Sequence, residues 1–162
     1  AERSGVALAL VPLVMVAMNA VYALSAYPFG RLSDRVSHHS LLAWGLVVLI
    51  AANLVLGSSH HWAVVLVGVA LWGIHMGMTQ GLLATMVADV APPDLRGTAF
   101  GFFNLVSGVA MLLASVVAGL VWDRWGPAFT FWTSAVFCVV ALIGLLKTPR
   151  PLSPPAAVEA RS

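Results

Sequence analysis

Five stretches of this chain are long, apolar and almost without charge: about Gly5–Tyr27, Leu41–Gly57, Trp62–Val90, Thr98–Trp122 and Ala128–Leu146. None contains Lys or Arg, and Asp89 is their only acidic residue. About 20 apolar helical residues, rising 1.5 Å each, cross a hydrocarbon core of roughly 30 Å, so every stretch is long enough to span a bilayer or nearly so. The second is the shortest and would draw on Ser40 or Ser58. A membrane barrel would show short alternating segments, whereas these runs are continuous and carry small residues at helical spacing. The expected fold is therefore all-α, a polytopic transmembrane helix bundle.

Composition agrees. Of 162 residues, 60% are hydrophobic and 9% charged, against roughly 25% charged in a soluble domain, and the mean hydropathy is +0.96. That leaves too little charge to solvate a compact soluble enzyme. The net charge of +2 comes without any basic run, so nucleic acid is not an expected partner. The lipid bilayer is. The single cysteine, Cys138, lies in an apolar run, cannot form an intrachain disulfide, and reads as packing.

The first stretch is longer than the usual apolar core of a secretory signal, follows Glu2 and has no clear small-residue cleavage site, so it reads as a membrane helix. The chain opens at Ala1 without Met, and its helix count is odd, which reads as a piece of a longer protein. Short connections rich in breakers separate the helices: 28–40, 58–61, a turn with Pro92, Pro93, Asp94 and Arg96, and a turn with Asp123, Arg124, Gly126 and Pro127. Asp94 is expected to accept orphan N–H groups at a helix entry. Residues 1–147 thus read as five spans, and residues 148–162, with Pro149, Pro151, Pro154 and Pro155, as a disordered cytoplasmic tail.

Basic residues in short loops are retained on the cytoplasmic side. Alternation puts Arg31, Arg35, Arg96, Lys147, Arg150 and Arg161 on one face, and Arg3 and Arg124 on the other. The loop with Asp34, the loop with Arg96 and the C-terminus are then cytoplasmic, and the expected location is the plasma (inner) membrane.

Helices in lipid associate through small residues and a few polar bonds. The third stretch has a stripe of Gly73, Gly77 and Gly81, and the fourth one of Gly97, Gly101, Asn104, Gly108, Ser115 and Gly119. Such stripes serve helix packing, or a face that slides against a partner or lines a polar path. Polar groups at mid-depth are costly in lipid and face protein or water; here they are Asn19, His75, Thr79, Gln80 and Asn104. Stretches one, three and four therefore read as cavity-facing, two and five as peripheral. Asn19, His75, Gln80 and Asn104 are the candidate substrate-pathway residues. At about 100° per residue, Gln80 falls near the Gly73 face while His75 and Thr79 fall on the far side, serving a different neighbour. His75 would either take a proton or donate a hydrogen bond across helices.

The pairs His38–His39 and His60–His61 do not make a metal site: adjacent histidines diverge on a helix, the pairs lie on opposite membrane faces, and no cysteine or carboxylate cluster completes them. No nucleophile elbow, Gly-rich phosphate loop or paired catalytic carboxylates occur. No cofactor and no enzyme activity are expected.

The run Gly30-Arg31-Leu32-Ser33-Asp34-Arg35, on a cytoplasmic loop between membrane helices, resembles the G-x-L-x-D-R signature of the major facilitator superfamily. In that family the signature follows the second helix and recurs, more weakly, after the eighth. Four helices follow it here, so the chain looks like the last five helices of twelve. The segment Asp89–Gly101, with Pro92, Pro93, Arg96 and Gly97, looks like the family's junction between its tenth and eleventh helices. The resemblance implies that helices one, three and four line a central cavity, that Gly30 permits a tight turn, and that Asp34 and Arg35 join a charge network latching one conformation. It departs from the family at Ser37, His38 and His39, where a second Gly and basic residues usually stand; imidazoles there replace permanent positive charge, so the latch is expected to respond to pH. The function implied is gradient-driven secondary transport of a small solute, alone or with a proton, by alternating access together with seven further helices. The alternative is a non-transporting membrane receptor or assembly subunit keeping the fold.

Overall fold

The computed structural model describes residues 11–59 and 61–148. Expectations for residues 1–10, for His60, and for the tail from residue 149 lie outside the described residues. Among the described residues there are five α-helices and no strand: α1 (Val11–Ser33), α2 (His38–Gly57), α3 (Trp62–Val90), α4 (Arg96–Trp125) and α5 (Pro127–Lys147), with one 3₁₀ turn at Pro93–Leu95 before α4. All five helices are long and apolar enough to cross a membrane.

Two ends differ from the sequence reading. Helix α1 continues through Pro28 to Ser33 where a loop from residue 28 was expected. Proline removes one N–H and leaves the Leu24 carbonyl without its helical donor, but an apolar environment makes the remaining helical bonds too costly to abandon. The loop is reduced to a turn, closed by the N–H groups of Arg35 and Val36 donating to the Leu32 carbonyl, each at 3.0 Å. Gly30 consequently sits in helix and not in a tight turn; a methyl there would meet nothing within 4 Å. At the other corrected end, Asp94 lies in the 3₁₀ turn, yet neither that turn nor α4 has a side-chain cap. The caps present are Ser37, whose Oγ accepts from the Ser40 N–H, and His61, whose ring accepts from the Ala63 N–H.

Close contacts set the directions of the helices. Gly73 faces Met18 and Tyr22 while Gly77 faces Ser25, so α1 and α3 are packed parallel. Gly45 faces His75 and Thr79, and Gly68 faces Leu56, so α2 and α3 are antiparallel. Gly57 lies on Trp132, and His39 reaches Leu145, so α5 is antiparallel to α2. Buried Leu41, Met78 and Leu82 join the Phe29 end of α1 to α2 and α3. Helix α4 has no buried residue and stands at the side of α5. Gly126 joins the two with φ 88° and ψ 178°, a backbone region open in practice to glycine alone. Pro127 then starts α5 with its φ preset for a helix. Trp62, Trp122, Trp125 and Trp132 collect at this end of the bundle, where indoles suit the headgroup level.

Candidate functional site

The small and polar residues singled out from the sequence separate into three groups. Gly73 and Gly77 are packing positions: a methyl on Gly73 would sit 2.7 Å from the Met18 carbonyl oxygen, and one on Gly77 would run into Ser25 Oγ. Gly81, Gly101 and Gly108 belong to a second group, because a methyl on any of them would meet nothing within 4 Å. Gly81 lies beyond the part of its stripe that packs on α1, and the Gly101–Gly108 stripe of α4 turns away from the other described helices.

The third group is the mid-helix polar side chains, and the structure divides them. His75 donates from Nδ1 to the Gly45 carbonyl at 2.8 Å, which carries it across to α2. Thr79 is buried beside it and donates to the His75 carbonyl. His75 therefore lies in the α2–α3 contact, on the opposite side of α3 from Gly73, and is not brought together with Gln80. Asn19, Gln80 and Asn104 are all exposed, on α1, α3 and α4 respectively. Asn19 donates to the Met15 carbonyl of its own helix at 2.8 Å. No other described helix covers these three amides.

At the cytoplasm-assigned end, no ion pair joins Asp34 or Arg35 to a described residue; the pair present is His38 Nδ1 to Asp89 Oδ2 at 3.7 Å, between the start of α2 and the end of α3. His39 Nε2 donates to the Leu145 carbonyl at 2.8 Å and ties the same start of α2 to the end of α5. The histidine pair thus holds two neighbouring helix ends, a role that adjacency in sequence conceals because its partners are 51 and 106 positions away. Among the described residues, no group of His, Cys, Asp and Glu is arranged to hold a metal ion. Sequence reasoning also missed the half-open space lined by α2, α3, α4 and α5, which no motif marks.

The comparisons with known proteins bear on this arrangement. The model of the Major Facilitator Superfamily matches residues 1–161. The chain belongs to that superfamily. An uncharacterized MFS-type transporter of Methanocaldococcus jannaschii is 30% identical over 138 residues, covering 85% of this chain and 34% of the relative. The inner membrane transport protein YajR of Escherichia coli is 27% identical over 116 residues, covering 71% of this chain and 25% of the relative. A crystal structure of the peptide transporter POT in complex with alafosfalin superposes with a TM-score of 0.70 at 22% identity, covering 83% of this chain and 28% of that one. This last likeness is one of fold. The chain spans about a third or less of the length of these relatives. It is part of a polytopic membrane protein of the major facilitator fold.

Proposed function

We propose that the protein to which this chain belongs is a secondary transporter that moves a small solute by alternating access, driven by a solute or proton gradient, with this chain supplying five helices of its C-terminal half. The observation that carries the reading is the division of the polar side chains. Asn53, His75 and Thr79 are withdrawn between helices, while Asn19, Gln80 and Asn104 stay exposed on the three helices read as cavity-facing. An amide facing hydrocarbon is costly, so such groups belong against water, a solute or further protein. Major-facilitator transporters bind between two halves near the midplane, and the uncovered faces of α1, α3 and α4 suit the second half.

In this reading Gln80 and Asn104 contact the solute or the water around it, and Gly81, Gly101 and Gly108 let other helices approach closely. Asp34 and Arg35 meet their charged partners on the remaining helices, which explains their lack of one among the described residues. The loop with Asp34 and the C-terminus face the cytoplasm, and the membrane is the plasma (inner) membrane. The test is solute flux by the full-length protein in liposomes under imposed pH gradients, using a panel of sugars, peptides, amines and organic acids. Gln80→Leu and Asn104→Leu should lower flux at least tenfold while the purified protein keeps its melting temperature. Normal flux in both variants would overturn the assignment of the pathway, and a wild-type protein inert across the panel would favour the receptor or assembly role.

A further inference from the structure

Helix α2 keeps one side exposed, and that side is apolar: Trp44, 64% exposed, is followed on it by Val47 and Leu54, while Asn53 is withdrawn. Two grooves flank Trp44, and both are lined by Trp44 and Ser40. One, of about 550 Å³, runs between α2 and α5 past Val47 and Leu142 to Lys147. The other, of about 400 Å³, runs between α1 and α2 over Ile74 and Met78 of α3. At about 100° per residue, Ile74 and Met78 lie roughly 120–160° around α3 from Gln80. Helices that pack against the exposed amides therefore approach from the other side, and the bilayer is left to cover this one.

The polar end of the α2–α5 groove is where the first turn of α2 meets the last turn of α5. Lys147 and the Ser40 hydroxyl line it together, and no acidic side chain lines either groove. His39 lines it as well, with Nε2 already donating to the Leu145 carbonyl. A lysine at the end of a span carries its ammonium to the headgroup level, and an indole suits the same boundary. A phosphate held there would meet a cation and a hydroxyl, with an apolar groove on either side of Trp44 for each of two chains. The amine of a zwitterionic headgroup would be repelled by Lys147, so the charge selects an anionic lipid.

We propose that α2 and α5 hold an anionic diacyl phospholipid, its phosphate at Lys147 and Ser40 and one acyl chain in each groove beside Trp44. Its place in the cytoplasmic leaflet, and the choice of this side as the lipid side, rest on the transport reading above.

The test puts photoreactive benzoylphenylalanine in place of Trp44 in the full-length protein, in nanodiscs of phosphatidylethanolamine with phosphatidylglycerol of the same chains as the minor lipid. After irradiation, mass spectrometry should find a ratio of phosphatidylglycerol to phosphatidylethanolamine adducts about fivefold above that of the bilayer, the effect of one lysine near a membrane surface. Lys147→Gln should return the adducts to the bilayer ratio, and Lys147→Arg should keep the enrichment. The same label in place of Leu54, toward the far end of α2, should show the bilayer ratio in every variant. Adducts at the bilayer ratio from the Trp44 position, enrichment that survives Lys147→Gln, or no lipid adduct would each overturn the proposal and leave the transport reading standing. An adduct with a peptide of the protein itself would overturn the lipid site together with the side assigned to the second half, and solute flux in liposomes decides the transport reading separately.

Discussion

Glycine has two different meanings in this chain, and only the surroundings of each residue tell them apart. At Gly73 the obstacle to a methyl is the backbone of α1, namely the Met18 carbonyl oxygen at 2.7 Å and the Tyr22 nitrogen at 3.2 Å. Backbone cannot rotate aside, so α1 must move off α3. Gly73→Ala should therefore destabilise the full-length protein by roughly 1–3 kcal/mol, read as a lower melting temperature in detergent. Gly81→Ala, about two turns further along the same stripe, should leave the bundle formed by these five helices unchanged. Equal melting of the two variants would show that the α1–α3 contact is looser than described. At Gly126 the constraint is conformational, since φ 88° with ψ 178° is strained for any side chain. Gly126→Ala should cost about 1–3 kcal/mol, although nothing lies within 4 Å to collide with. Both glycines are equally visible in the sequence, but spacing alone assigned Gly73, Gly81 and Gly101 to similar stripes. What separates them is whether another helix arrives, and that is a fact about distant residues.

Helix α4 is the element most altered by knowing the structure. One side carries Ala110, Ala114, Val117 and Val121 toward the half-open space it lines with α2, α3 and α5, and the opposite side carries Gly101, Asn104 and Gly108. With a cysteine placed at Asn104 or at Val117 in the full-length protein, a membrane-impermeant maleimide should label the first and spare the second. Equal labelling would refute the assignment of faces. Helix α2 shows a different kind of coupling, because its first turn is bound at two points, His38 to Asp89 on α3 and His39 to Leu145 on α5. An imidazole attracts a carboxylate electrostatically only when protonated, whereas a permanent cation at position 38 would do so at all pH. His38→Arg combined with His39→Arg should thus flatten the pH dependence of transport by the full-length protein. A profile identical to the wild type would remove the pH-sensitive latch.

On the scale of the whole molecule, the five helices fit the proposed reading as one part of a larger bundle: α4 buries no residue of its own, and three mid-helix amides remain uncovered among the described residues. This chain inserted alone into liposomes should move no solute, and supplying the remaining helices as a second polypeptide should restore flux; transport by the chain alone would contradict the proposed division of the cavity. The existence and type of the helices were legible because charge-free apolar runs allow little else in a bilayer. Helix ends were less so, since Pro28 reads as a breaker in water and is tolerated where no solvent competes for the backbone. The His75–Gly45 bond and the withdrawal of Asn53 were illegible for another reason: each depends on which faces of two helices meet.

The parallel packing of α1 on α3 has a consequence for biosynthesis. The groove that receives Met18, Tyr22 and Ser25 is built at Gly73 and Gly77, which the ribosome adds only after all of α2. A nascent chain halted in α2 would leave α1 loose among lipids with its seat not yet made, so docking of the first helix marks the moment at which the third has been delivered.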